Sequence, residues 1–243
     1  TLKKITSLHF QLASIYKIRT ILFLGAPLGF AALATTWLSQ GPIILAQQSS
    51  LFTGDQIGQL ALAMQGFSVT VILPTSIGMA ALPVLSRTIV RGDKKDIVFA
   101  SFMSRAGWIA GTLIGLIGLF SGEWAITSLL GQEYVQAGRL LGMTPWLIIP
   151  MTIGTACRQV LVARSFRLLP LCGAILGLGI FVCLFQPCST AFALNGPIVA
   201  AGIGMSFWAA WMVLSLAKNT EFHLSETVLK PGFSSACSLT AYL

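Results

Sequence analysis

The sequence predicts an all-α polytopic membrane protein with about six transmembrane helices. Three observations predict it. Of the 243 residues, 55% are hydrophobic and only 9% are charged, whereas a water-soluble domain carries about a quarter charged residues to solvate its surface. The apolar residues fall in runs of about 20 or more, long enough to cross a bilayer. Lys and Arg gather in alternate loops between those runs, the pattern that orients helices in a membrane. The formal charge of +8 therefore belongs to short inter-helix loops, and a nucleic-acid partner is excluded.

Residues 1–20 read as a cytoplasmic lead-in, with Leu2, Ile5, Leu8, Leu12 and Ile15 at the spacing of a short interfacial helix. The chain begins at Thr1, which reads as processing or as a fragment of a longer protein. A cleaved signal peptide is disfavoured, because the apolar run extends to Ala46, past the usual length of roughly 7–15 residues.

Residues 21–217 form the transmembrane lobe. Its first span, Ile21 to Ala46, carries Pro27 and Pro42. An outer loop from Gln47 to Gln56 holds Asp55 and no Lys or Arg. The second span, Ile57 to Ser86, carries Pro74 and Pro83; each proline removes a backbone donor, which makes them hinge candidates. Then comes the densest charge cluster of the chain, Arg87 to Asp96, with Arg87, Arg91, Lys94 and Lys95.

The third span, Ile97 to Phe120, has Gly107, Gly111 and Gly115 on one helix face, where a neighbouring backbone can approach closely. Ser121 to Glu133 reads as a short amphipathic helix on the outer surface, with Trp124 at headgroup level. The fourth span, Tyr134 to Ala163, contains two further hinge candidates, Pro145 and Pro150, and ends in the turn Arg164 to Arg167. The fifth span, Leu168 to Phe185, is followed by an outer turn at Gln186 to Thr190, and the sixth runs from Ala191 to Ala217. Residues 218–243 form a short polar cytoplasmic tail.

Numbered alternately, one set of loops holds Lys3, Lys4, Lys17 and Arg19, then the Arg87–Lys95 cluster, then Arg164 and Arg167, then Lys218 and Lys230. The other set holds none, with Arg139 just inside a span on that side. This places both termini in the cytoplasm.

The sequence has no Walker-type glycine loop, HExxH, GxSxG or paired histidines. No metal site, cofactor or catalytic group is expected. His9 and His223 lie in terminal segments. The cysteines (Cys157, Cys172, Cys183, Cys188, Cys237) form no CxxC pair and read as small apolar helix residues; a Cys183–Cys188 disulfide is disfavoured. Of seven acidic residues none falls mid-span, so an ion-coupling site built on buried carboxylates has no candidate. Arg105, Arg139 and Arg158 do enter the spans. Two readings stay open for them: snorkelling to a membrane face, or lining a cationic cavity for an anionic substrate. Gln65, Gln159 and Asn195 (with Gln47) are polar groups that would line the same cavity or bond between helices.

Three stretches carry a family resemblance. Ala81-Leu-Pro-Val-Leu-Ser-Arg87 ends the second span. Leu129-Leu-Gly-Gln-Glu-Tyr-Val-Gln-Ala137 enters the fourth, with Gly131, Glu133, Tyr134 and Ala137 at the family spacing. Leu161-Val-Ala-Arg164 ends it. Their order resembles the carboxyl-terminal half of the polysaccharide (O-antigen type) flippases of the multidrug/oligosaccharidyl-lipid/polysaccharide exporter superfamily, over about two-thirds of the chain. The resemblance implies one lobe of a two-lobe transporter and a missing amino-terminal lobe. It implies an undecaprenyl-diphosphate-linked glycan as substrate, moved across the inner membrane by alternating access. The alternatives are a peptidoglycan lipid-precursor flippase, a multidrug efflux half, or a non-transporting membrane subunit. An integral-membrane glycosyl- or phosphosugar transferase is disfavoured, because Glu133 is the one carboxylate or histidine near a membrane face.

Overall fold

The protein is described by a computed structural model covering residues 15–92 and 95–220. The expected lead-in before Ile15, Asp93, Lys94 and the tail from residue 221 lie outside the described residues. The described residues form seven α-helices in order: α1 Ile15–Gln48, α2 Gly54–Val90, α3 Lys95–Leu130, α4 Val135–Met143, α5 Ile148–Ala163, α6 Leu168–Phe192 and α7 Gly196–Asn219. Single 3-10 turns, Gln132–Tyr134, Thr144–Leu147 and Ala193–Asn195, join α3 to α4, α4 to α5 and α6 to α7. Among the described residues there is no strand, and the chain is an all-α polytopic protein.

Among the described residues, five stretches are long and apolar enough to cross a membrane: Gly25–Gln48, Gly54–Val90, Lys95–Leu130, Gln132–Ala163 and Leu168–Asn219. The last doubles back on itself. Gly177 faces Gly204, and Gly173 faces Met212 and Trp211, so rising positions on α6 meet falling positions on α7. The described residues thus make six rods, with α4 and α5 forming one rod bent at Thr144–Leu147.

The contacts fix how the rods run. Gly107, Gly111, Gly115 and Gly122 on α3 meet Thr152, Ile149, Trp146 and Gly138 in turn, which makes α3 antiparallel to α4–α5. Gly66 meets Leu141 and Gly78 meets Thr155, so α2 runs parallel to α4–α5. Gly154 meets Trp208 and Gly202 meets Leu147, so α5 and α7 are parallel; Leu38 at Gly177 and Gly41 at Phe181 make α1 and α6 parallel. Every rod therefore reverses the one before it. All connections gather at two ends. One end carries Arg87, Arg91, Lys95, Arg164, Arg167 and Lys218; the other carries Asp55, Glu123, Glu133 and Arg139. The charge segregation seen in the sequence is thus a segregation in space.

The bent rod lies at the centre, with most of Gln132–Ala163 buried, whereas α3 presents most of its apolar surface outward. The seam expected at Gly107, Gly111 and Gly115 exists and is longer than expected, continuing through Gly118 and Gly122. A methyl group at Gly122 would lie 2.9 Å from the Gly138 carbonyl oxygen. In lipid, where apolar burial between helices gains little, such backbone contact is a main source of association.

Three boundaries differ from the sequence reading. Ser121–Glu133 is not a separate amphipathic helix: α3 runs unbroken to Leu130, because Gly122 sits in a backbone seam rather than a turn, and the break comes at Gly131, whose φ of 102° suits glycine. The turn expected at Gln186–Thr190 lies at Ala193–Asn195. Gln186 and Pro187 are exposed, so the ring points away from the bundle and the helix passes through it, losing one backbone bond. Chain reversal falls where Gly196 packs directly on the backbone of Cys188 and Ser189. The first outer loop is also shorter than Gln47–Gln56. Thr53 caps α2, its hydroxyl accepting from the Gln56 amide while the Gln56 side chain accepts from the Thr53 amide.

Of the hinge candidates, Pro74 and Pro83 lie within an unbroken α2, Pro145 lies in the 3-10 turn that bends the central rod, and Pro150 lies in the first turn of α5.

Candidate functional site

The register of the rods gives each polar residue a depth. Leu38 touches α6 at Gly177 and α7 at Gly204, near the middle of both helices. Two residues further, Gln40 Nε2 donates to Ser68 Oγ at 3.5 Å. This contact links α1 to α2 at mid-depth. Gln40 is exposed and Ser68 half-buried. Along the same faces stand exposed Thr36 and Gln47 on α1, at positions 36, 40 and 47 of a helical repeat, and exposed Gln65 on α2, one turn before Ser68. Hydrocarbon offers a carboxamide no partner, and leaving one unsatisfied there costs several kcal/mol on the order of a lost hydrogen bond or more. Thr36 and Ser68 return their hydroxyls to the Ala32 and Met64 carbonyls of their own helices, and Gln47 lies at the end of α1, so the groups at this depth that hydrocarbon leaves short of partners are the carboxamides of Gln40 and Gln65.

The sequence candidates scatter around this bundle. Gln65 lines a cleft of about 880 Å³ with Asp55, Gln59, Glu133 and Tyr134. Gln59 crosses from α2 to the central rod, accepting from the Ala137 amide at 3.0 Å and donating to the Glu133 carbonyl at 3.3 Å. Gln159 is buried on α5 beside Gly78, whose missing side chain makes room for it. Arg158, next to it, is half-buried. Arg105 is exposed on α3 at a similar depth, since Gly107 faces Thr152. Arg139 is exposed at the opposite end and pairs through Nε with Glu123 Oε2 at 3.0 Å. Arg139 and Arg158 stand on one rod roughly 28 Å apart at 1.5 Å per residue. The three arginines therefore do not meet in one cavity. Arg139 does meet Asn195: both line a cavity of about 250 Å³ with Gln56 and Gln136.

Two features escape the sequence reading. Gln40 and Ser68 are one; the signal was the recurrence of polar residues at Thr36, Gln40 and Gln47 within an apolar run. Asp96 is the other. It reads as part of the basic loop, yet it sits in the first turn of α3, fully buried, with Oδ2 accepting from Arg164 Nε at 2.6 Å. Its Oδ1 has no hydrogen-bond partner among the described residues. The pair ties the start of α3 to the end of α5. The thiols of Cys157, Cys172, Cys183 and Cys188 are free.

Comparison with family models, curated proteins and solved structures finds no match to this chain. The flippase resemblance accordingly rests on the three sequence stretches alone.

Proposed function

We propose that this chain is one lobe of a membrane transporter of the polysaccharide-flippase kind. In this reading it moves an anionic, diphosphate-linked glycolipid across the plasma membrane, with no covalent chemistry and no cofactor. The basic end of the bundle lies in the cytoplasm, where positive loops are retained, and a second lobe stands opposite the α1–α2 face. The observation that carries the reading is the pair of exposed carboxamides at mid-depth, Gln40 on α1 and Gln65 on α2, with half-buried Ser68 beside Gln40. A helix pair meant only for lipid has no use for it. Transport supplies the use, a wet cleft between lobes. The half-buried Arg158 supports an anionic substrate, since a guanidinium recognises phosphate oxygens two at a time.

The first test replaces the native cysteines with serine and places single cysteines at Gln40, Ser68 and, as a lipid-facing control, the 68% exposed Val69. A membrane-impermeant thiol reagent is expected to label the first two and spare Val69→Cys. Equal labelling at all three positions sinks the cleft. The substrate is tested in proteoliposomes holding a fluorescent undecaprenyl-diphosphate oligosaccharide, with reagent quenching reporting the outer leaflet. Translocation of a peptidoglycan precursor or a cationic drug in its place would reassign the lobe to those transporters. A labelled cleft with no transport of any of these substrates would leave a non-transporting subunit.

A further inference from the structure

The cavity at the acidic end, between the start of α2, the start of α4 and the α6–α7 turn, holds a set of groups that the transport reading does not use. Its volume is about 250 Å³, and its polar lining is Gln56, Gln136, Arg139 and Asn195, with Leu140 and Phe192 as apolar walls. The donors are available. Glu123 takes Arg139 through Nε, which leaves the two terminal guanidinium nitrogens. Gln56 uses its carbonyl oxygen to accept from Thr53, so its amide nitrogen remains. No hydrogen bond engages the side chain of Gln136 or Asn195 among the described residues. Three carboxamides and a guanidinium around one hollow form a donor-rich site with one positive charge. Its place is the end of the bundle, level with the 72% exposed Trp124 on α3, the depth at which aromatic residues meet headgroups.

We infer that this cavity binds a phosphate group, with the guanidinium fork and the carboxamides donating to its oxygens and Phe192 flanking the attached glycerol or acyl part. Two sources share that chemistry, a phospholipid headgroup and free phosphate. Glu123 works against any anion held there and limits the affinity. This inference does not rest on the transport reading. A bundle with a different role would hold the same site at its end.

The test uses the full chain in a phosphate-free, non-ionic detergent. The probes are dihexanoyl phosphatidylglycerol, inorganic phosphate and, as the phosphate-free control, dihexanoylglycerol, each titrated by calorimetry and by phosphorus NMR line broadening where phosphorus is present. Arg139→Gln is expected to weaken phosphatidylglycerol binding at least about tenfold, the loss of charge-assisted hydrogen bonds. Arg105→Gln, a charge removed at an exposed site elsewhere, is expected to leave binding unchanged. Glu123→Gln is expected to tighten it, a result that a purely structural Arg139–Glu123 pair would not give. Binding of both phosphate probes supports free phosphate as well as lipid. Binding of the lipid alone supports the headgroup. The inference is overturned if Arg139→Gln binds as wild type, if dihexanoylglycerol binds as well as the phospholipid, or if no probe binds. All three variants change exposed side chains, so their folding is checked simply by an unchanged thermal midpoint.

Discussion

The buried pair of Asp96 and Arg164 makes an asymmetric prediction. Asp96 is 0% exposed, while the Arg164 side chain is 27% exposed. Removing the arginine strands a fully buried carboxylate whose Oδ1 has no hydrogen-bond partner among the described residues. Breaking a buried pair this way costs about 3–5 kcal/mol. Removing the acid instead leaves a guanidinium at the bundle end that can turn outward and hydrate, so the cost falls toward the about 1 kcal/mol of an ordinary lost hydrogen bond. Arg164→Gln should therefore destabilise the protein clearly more than Asp96→Asn. The double variant should recover most of the Arg164→Gln loss, because a neutral amide pair carries no stranded charge. Thermal unfolding of the four proteins in one detergent, read by loss of the monodisperse peak, gives the ranking. If Asp96→Asn proves as damaging as Arg164→Gln, or if the two changes simply add, the carboxylate is not the stranded partner and the argument fails.

Further predictions concern the seams. Gly122→Ala should cost more than Gly78→Ala, by about 1–3 kcal/mol for overpacking at the former. Its new methyl meets the Gly138 backbone oxygen at 2.9 Å, whereas at Gly78 the nearest atoms are side-chain carbons of Gln159 and Thr155 at 3.4 Å; thermal midpoints in detergent decide. Gln59→Ala should destabilise by about 1–3 kcal/mol, since the Ala137 amide loses its partner, and Gln59→Glu should recover only the accepting half of the contact. Thr53→Ala should cost about 1 kcal/mol by removing the α2 cap, seen as faster amide exchange confined to the first turn of α2.

What was legible in the sequence follows from what is local. An apolar run becomes a rod wherever it lies, so the spans and the alternation of basic loops carried over into the bundle. The Gly107–Gly111–Gly115 face also carried over, because a four-residue glycine repeat can only open one side of a helix. Boundaries were harder. Proline at 187 reads as a stop, but it breaks a helix only if its ring and freed carbonyl have nowhere to go, and an exposed face gives them room. The Thr53–Gln56 box is readable from its spacing and sets the start of α2. The depth and facing of the candidate site residues were hidden for a different reason. Arg105, Arg139 and Arg158 look alike in sequence, yet depth and facing depend on contacts 40 or more residues away, such as Gly107 against Thr152. Asp96 is the clearest case. Within Arg91–Asp96 it is one charge among several, and nothing local separates it from its solvated neighbours. Its burial is decided by the register of α3 against α5, which brings Arg164 over it. The register of α1 against α2 likewise sets Gln40 beside Ser68 at mid-depth. The polar groups that carry the functional reading are thus defined by pairing between rods, and a single sequence encodes that pairing only through the glycine seams that allow the rods to close.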